Sequence, residues 1–304
     1  MDEGFEWLVE GLQYDPPRTV HKFISADAPH FWDAIEKAVL ENKIFFSPVA
    51  NLNDPFEARP VYKEDSVAQV QEYLKKWERT FGKGTTITGG NAYELAKENG
   101  LSGFDLAVNA EKNSGYSAEY AKFLISKAKA ILEDSRNWTS VTSFTLGWSS
   151  PLFWAHYANS HNGVCLEYKV DPESMLQGRL RLVPVTYSEE RPVVSTIELL
   201  KRAGAGTGGR AKELITPQDL GETVTKLALT KPAEWSYEQE FRLVDTKGSN
   251  ARTYQAVPSL AVNRIYIGTN VASETREKIR ASFGKSVEVV QVGLCDRAFS
   301  LKYS

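Results

Sequence analysis

Apolar residues recur along this chain in two rhythms that divide it into short elements. Residues 19–24 read as a strand, 28–41 carry Phe31, Ile35 and Ala38 at helical spacing, and 44–47 read as a second strand. The opening therefore predicts strand, helix, strand, with Asp27 and Pro29 at the helix entrance. Asn51-Leu52-Asn53-Asp54-Pro55-Phe56-Glu57 follows; its Asn and Asp side chains can bond backbone amides and its proline stops a helix, so a structured loop is expected. From about 64 to 135 the strand rhythm gives way to helical spacing, in Val67, Val70, Leu74, Trp77 and Phe81 and again in Tyr120, Phe123, Leu124, Ala128 and Ile131. A strand is predicted at 138–146, then a helix opened by Ser150-Pro151 and ended by Asn162-Gly163. Strands at 164–170 and 182–187, expected to be neighbours, precede helices at 194–202 and 217–229 and a strand at 235–245. A strand at 262–267, a helix at 273–283 and a strand at 287–294 close the chain. Hairpin-like neighbours mix with crossovers, which predicts an α+β fold: one domain over 1–304 with a helical insertion at about 64–135.

Composition narrows the function classes. With 304 residues, 42% hydrophobic and 25% charged, the chain is globular and can bury one large core or two smaller ones. A net charge of -3 and a pI of about 5.9 argue against a surface that tracks phosphates over the whole protein, a local groove aside. The start is acidic and no apolar run nears the roughly 20 residues that cross a bilayer, so neither signal peptide nor membrane span is expected and the cytoplasm is the default location. Cys165 and Cys295 lie in strand-like runs and read as buried free thiols. His156, His161 and Cys165 lack zinc-ligand spacing, so no metal is expected. Gly204-Ala205-Gly206-Thr207-Gly208-Gly209 fits a dinucleotide fingerprint only formally: a helical pattern precedes it where a strand is required, and a glycine loop after a helix is the better reading.

Candidate chemistry sits in polar groups within apolar surroundings. If 235–245 is a strand, Glu238, Glu240 and Arg242 share one face while Tyr237, Gln239, Phe241 and Leu243 share the other. A solvated face with an exposed ion pair, worth at most about 1 kcal/mol, is the bland alternative. The flanking Trp235, Tyr237 and Phe241 favour an interior strand whose carboxylates have a task. Trp154 and Tyr157 serve equally well as core or as pocket wall, with His156 beside them. Asn53, Asp54 and Glu57 read first as a proline turn held by its own side chains, and second as a rim that positions substrate.

Taken in order, His21-Lys22-Phe23, Phe45-Phe46-Ser47-Pro48, Asn53-Asp54-Pro55-Phe56-Glu57, Ser143-Phe144-Thr145, Trp154-Ala155-His156-Tyr157 with Gly163-Val164-Cys165-Leu166, and Trp235-x-Tyr237-Glu238-x-Glu240-x-Arg242 resemble the bacterial domain of unknown function 2971 family. The pieces are also similar to those of ADP-ribosyltransferases. That resemblance implies a split, mixed sheet with flanking helices, His21 or Lys22 at the first cleft position, Ser143 or Tyr157 at the middle one, and Glu240 at the last, with Glu238 and Glu240 as a Glu-x-Glu turn-and-strand pair. No Ser-x-Ser or spaced tyrosine pair is present, so the middle position stays open.

On this reading NAD is the substrate and no metal takes part. Glu240 would stabilise the oxocarbenium-like ribose, and Glu238 would orient or deprotonate the acceptor. His21 or Lys22 would hold the adenylate ribose or pyrophosphate, and Arg242 would position the glutamates or a phosphate. Phe23, Trp154 or Tyr157 would stack on the cationic nicotinamide. Ser47, Ser143 and His156 complete the expected cofactor-binding set, and Asn53, Asp54 and Glu57 the substrate rim. The expected acceptor is a macromolecule, protein or nucleic acid, and a toxin or anti-phage role would bring a cognate antitoxin or partner protein. Two rival readings are a glycosidic-bond hydrolase that needs no NAD and a non-catalytic recognition module in which the Asn53-Asp54-Pro55 loop and the helical insertion bind a partner protein and the glutamates complete a buried ion-pair network.

Overall fold

The computed structural model describes residues 15–81, 118–177, 180–206, 221–246 and 253–304. In chain order the strands are β1 (Thr19–Ser25), β2 (Lys43–Pro48), β3 (Val61–Lys63), β4 (Ser140–Thr145), β5 (Gly163–Val170), β6 (Leu182–Pro184), β7 (Thr186–Ser188), β8 (Val193–Ser195), β9 (Thr230–Pro232), β10 (Glu240–Asp245), β11 (Thr253–Ala256), β12 (Leu260–Ile267), β13 (Glu288–Leu294) and β14 (Leu301–Tyr303). The α-helices are α1 (Phe31–Glu41), α2 (Val67–Phe81), α3 (Ala118–Trp138), α4 (Pro151–Tyr157), α5 (Pro172–Gln177), α6 (Thr196–Gly206), α7 (Gly221–Ala228) and α8 (Ser273–Phe283). Two compact units result: Met1–Glu57, Trp138–Glu189 and Ala228–Ser304 make the first, Ala58–Asn137 and Glu190–Leu227 the second.

The first unit is built on a ten-stranded mixed sheet in the order β11-β2-β4-β1-β5-β12-β13-β14, with β10 pairing β4 and β6. Within it β12 and β13 run parallel. The α+β reading with a mixed sheet therefore holds. Because β5 alternates Val164, Leu166, Tyr168 and Val170 against Cys165 on its other face, it feeds two cores. One gathers Ile35 of α1 and Ile279 and Phe283 of α8, the other Trp154 of α4 with Tyr266 and Val292.

One irregularity of this sheet makes the site. Along one edge β4 is paired with β10 throughout, from Glu240↔Thr145 to Asp245↔Ser140. Along its other edge it meets β1 only at His21↔Thr145 and β2 only at Ser47↔Val141 and Pro48↔Ser140. Between those points, among the described residues, the edge at 142–144 has no strand beside it, and the sheet opens.

Several local expectations change. The stretch 235–245 is not one strand: Ala233–Glu238 forms a 3-10 turn, Gln239 turns through a left-handed φ of 46°, and only then does β10 begin. The strand at 182–187 breaks into β6 and β7, and β6 pairs with β10 rather than with β5. Helix α1 starts at Phe31 with His30 before it and no side-chain cap, while Asp27 instead accepts from the amides of Asn159 and Asn162. Those asparagines belong to a tight reversal after α4 in which Asn159, Ser160 and His161 all take positive φ. Its fit leaves no space: a Cβ on Gly268 would lie 2.2 Å from the His161 carbonyl oxygen and 2.9 Å from the Trp154 ring. Cys165 is a buried free thiol as expected, but Cys295 lies beyond β13 and is half-exposed.

The second unit holds α2, α3, α6 and most of α7 together with a parallel β3–β8 ladder. Val70 and Leu74 of α2, Leu124 and Ala128 of α3 and Leu199 of α6 are buried, as helical spacing predicts. The Asp65 carboxylate caps the start of α6 by accepting from Ile197 N–H at 2.8 Å. Gly204 to Gly206 end α6, and the remainder of the glycine-rich stretch lies outside the described residues. Among the described residues no helix is long and apolar enough to cross a membrane.

Candidate active site

The gap in the sheet is a cavity of about 220 Å³ whose lining residues all belong to the first unit. Strand β1 contributes His21, Lys22 and Phe23, the gapped edge of β4 contributes Thr142, Ser143 and Phe144, and α4 contributes Phe153 and Tyr157. Ser47, Asn53, Glu57, Lys231, Glu238, Glu240 and Arg242 complete the polar wall.

Buried charge dominates that wall. Arg242, 1% exposed, uses Nε and Nη2 on the two Glu240 oxygens at 2.6 and 3.0 Å, Nη1 and Nη2 on Glu57 at 2.8 and 2.7 Å, and Nη1 again on the Ala228 carbonyl at 2.7 Å. The Lys231 ammonium bridges Glu238 at 2.5 Å and Glu240 at 3.2 Å and lies 4.6 Å from the centre of the Trp235 ring. The Tyr157 hydroxyl donates to Glu238 at 2.5 Å. The 3-10 turn makes this possible, since residues three apart eclipse and Trp235 and Glu238 face Lys231 together. Glu238, Glu240 and Arg242 thus converge as alternation predicts, but through a turn followed by a strand.

Three carboxylates, Glu57, Glu238 and Glu240, are paired with the two cations Lys231 and Arg242, and a third basic side chain, Lys22, lines the same cavity. Burial raises the Glu240 pKa, but Arg242 and Lys231 outweigh it and hold the carboxyl at about 2. A carboxylate held so low is a fixed charge and a poor proton acceptor.

Lys22 is treated differently. Its ammonium donates to the Ser143 carbonyl at 3.2 Å, on the strandless edge of β4, and lies 5.6 Å from the centre of the Phe144 ring. Among the described residues no carboxylate reaches it within ion-pair distance, and burial, opposed by the charge of Glu240, lowers its pKa to about 8. A lysine placed so is retained at a cost in stability. Lys22→Met is expected to raise stability by roughly 0.5–2 kcal/mol. Since the folded state releases this proton near pH 8 and the unfolded state near 10.5, wild-type stability gains from Lys22 as pH rises between those values. Thermal melts from pH 7 to 10 check both points; a variant less stable than wild type at pH 7 refutes them.

Some expected site residues lie elsewhere. On α4 the helical period sends Phe153 and Tyr157 to the cavity, while Trp154 is fully buried in a core with Nε1 donating to the Trp148 carbonyl at 2.7 Å, and His156 is exposed. Asp54 is buried outside the cavity and its Oδ1 accepts from Phe56 N–H at 2.8 Å, the turn that its sequence suits. Tyr237 is 40% exposed, its ring centre 6.3 Å from that of the buried Phe153. The cavity holds the remaining expected residues: His21, Lys22, Phe23, Ser47, Asn53, Glu57, Ser143, Tyr157, Glu238, Glu240 and Arg242. Unanticipated were Lys231, whose signal is a lysine two residues after the apolar run 227–229, and Phe153, whose signal is its position one helical turn before Tyr157.

Among the described residues no cluster of three or more His, Cys, Asp or Glu side chains is arranged to hold a metal ion. No curated protein and no solved structure matches the chain. Residues 153–243, which contain most of α4, the Lys231 strand and the Glu238–Arg242 segment, match the family model described as Protein of unknown function (DUF2971), which bears out over that span the family resemblance carried by the motifs.

Proposed function

We propose that the first unit cleaves NAD and transfers its ADP-ribose to a macromolecular acceptor. The observation that carries this reading is the convergence of Glu240, His21, Lys22 and Tyr157 on one aromatic-walled cavity in the gap of a mixed sheet. Loss of nicotinamide builds positive charge on the ribose, and a carboxylate ionised at every working pH, held rigid by Arg242 and Lys231, is suited to stabilise it. Phe23 and Phe153, stacked at 5.4 Å in the same cavity, offer aromatic surface to a cationic ring. At about 220 Å³ the cavity is smaller than the ~300–1,000 Å³ of sites for drug-sized ligands, so it suits the nicotinamide end of the dinucleotide and not the whole of it. An acceptor of protein or nucleic acid, a toxin or anti-phage role and a cognate antitoxin remain part of this proposal.

A glycosidic hydrolase of inverting type fits less well. It needs a raised-pKa acid and room for water between carboxyls ~6.5–9.5 Å apart, whereas the Lys231 ammonium fills the gap between Glu238 and Glu240. The non-catalytic reading has a specific observation in its favour: Glu57, Glu238 and Glu240 are all bonded to protein donors, as in a structural network. Incubating the protein with cell lysate and NAD labelled on its adenylate, followed separately by protease and nuclease, decides between them. Released nicotinamide with label on a macromolecule is the expected result. Neither release nor NAD binding by calorimetry would establish the structural network instead.

A further inference from the structure

Among the described residues the cavity offers no ready proton acceptor. Glu57 and Glu240 are bonded to Arg242, and Glu238 to Lys231 and Tyr157. His21 turns Nε2 toward Glu167 at 3.5 Å, and both its ring nitrogens are buried without a hydrogen bond. An alcohol, which must lose a proton as it attacks, is therefore poorly served. An acceptor that is already an anion needs no base.

The same wall holds a cation that lacks an anion. Half-buried Lys22 lines the cavity and reaches only the Ser143 carbonyl, at 3.2 Å. Ser143 is also the one residue of β4 that is not buried. On the gapped edge Val141 pairs with Ser47 and Thr145 with His21, while Ser143 between them has no strand partner. The N–H and C=O of a residue in an extended strand face the same edge, so the Ser143 N–H points as its carbonyl does, into the gap beside Lys22. We propose that the Lys22 ammonium and the Ser143 N–H receive an acidic side chain of a protein acceptor, whose carboxylate attacks the ribose to give an ADP-ribosyl ester of aspartate or glutamate.

In that step a carboxylate oxygen bonds to the ribose carbon as the bond to nicotinamide breaks. The electron pair of the broken bond leaves with the ring nitrogen, which becomes neutral, and no proton moves. Two donors match the two oxygens of a carboxylate. A phosphate monoester, nearly a dianion, would bring about twice that charge beside Glu57, Glu238 and Glu240. The pyrophosphate of NAD is not the anion in question, because the cavity takes only the nicotinamide end of the dinucleotide. Burial, opposed by the charge of Glu240, sets the Lys22 ammonium at about 8, so it is a cation at pH 7 and a bound carboxylate would keep it one.

The transfer step rests on the transferase reading, whereas the carboxylate site is testable without NAD. In the full chain, N-acetylglutamate α-amide should shift the Ser143 amide in proton–nitrogen NMR. N-acetylglutamine α-amide, which keeps the shape and lacks the charge, should bind about tenfold or more weakly. Lys22→Met should bring the two ligands to equal affinity. Equal binding by the wild type, or a glutamate preference that survives Lys22→Met, overturns the site whether or not NAD is cleaved. Where NAD is cleaved, label on lysate protein should be released by brief treatment with neutral hydroxylamine, which cleaves esters, and peptide mapping should place it on Asp or Glu. Label that resists hydroxylamine, or that only nuclease removes, overturns the acceptor and leaves the transferase reading intact. With an acidic peptide from that map, Lys22→Met should raise the acceptor KM about 10–100-fold with little change in NAD affinity. In the wild type that KM should rise above pH 8, as the ammonium is lost. Transfer that instead speeds up through pH 8 would make Lys22 a base, and a loss confined to NAD affinity would make it a ligand of the dinucleotide; either result overturns the proposal.

Discussion

Arg242→Met should destabilise the first unit by about 3–5 kcal/mol, the range found when one partner of a buried ion network is removed and the others are left charged. The guanidinium has five N–H donors, and five hydrogen bonds to Glu57, Glu240 and the Ala228 carbonyl account for them. Methionine fills comparable volume but leaves two carboxylates, each at most 5% exposed, with Lys231 alone, 3.2 Å from Glu240 and 4.0 Å from Glu57. Lysine should not rescue, because one ammonium cannot serve two carboxylates in the planar fork that Arg242 provides. Acid should reproduce part of the loss. Glu240 ionises near pH 2 when folded and near 4.5 otherwise, so its stabilisation is complete above about 4.5 and disappears as pH falls through about 2. Urea midpoints for both proteins from pH 2 to 7 check this: the wild type should lose stability toward acid and the variant much less. An Arg242→Met protein as stable as wild type at pH 7 would mean that these bonds are not what holds the gap together.

How much of this was legible in the sequence depends on what made each element. Strand β1, helix α1, β5, β12 and α8 carry enough apolar positions for their periods to be seen, and structure and expectation agree on them within a few residues. Strands of three residues, such as β6, β7, β8 and β9, have no period to show; only their partners define them. The turn at 233–238 was hidden for another reason. Its aromatic residues look like strand residues, and nothing short of a neighbouring lysine reveals that Gln239 must turn left-handed to bring Glu238 onto Lys231.

The site divides along the same line. His21, Lys22, Glu240 and Arg242 stood out because charge in an apolar stretch is costly unless partnered. Glu167 did not: between Cys165 and Lys169 it looks like the solvent side of an alternating strand, and only the strands on both flanks leave it 8% exposed. The gap itself is a property of register, since β4 meets β1 and β2 at separate points, and no single segment encodes that.

Glu240→Gln separates the catalytic from the structural account of these carboxylates. Glutamine keeps the shape, and its carbonyl can still accept from Arg242, so the fold should survive with a loss of about 1–3 kcal/mol, the cost of an imperfectly satisfied buried group. What it removes is the charge that would face the ribose. If that charge stabilises the transition state, nicotinamide release should fall about 10²–10³-fold, the usual effect of deleting one preorganised electrostatic partner, with little change in NAD affinity. Glu57→Gln supplies the comparison, because Glu57 meets the same guanidinium, likewise through two bonds, from Nη1 and Nη2, but is not the group assigned to the ribose. A structural network predicts similar stability losses in the two variants and no selective effect on turnover. Catalysis predicts similar stability losses with turnover much lower in Glu240→Gln. The assay is single-turnover nicotinamide release at saturating NAD, read beside the melting curve of each protein. Equal turnover in Glu240→Gln and wild type would return all three glutamates to the task of neutralising Lys231 and Arg242.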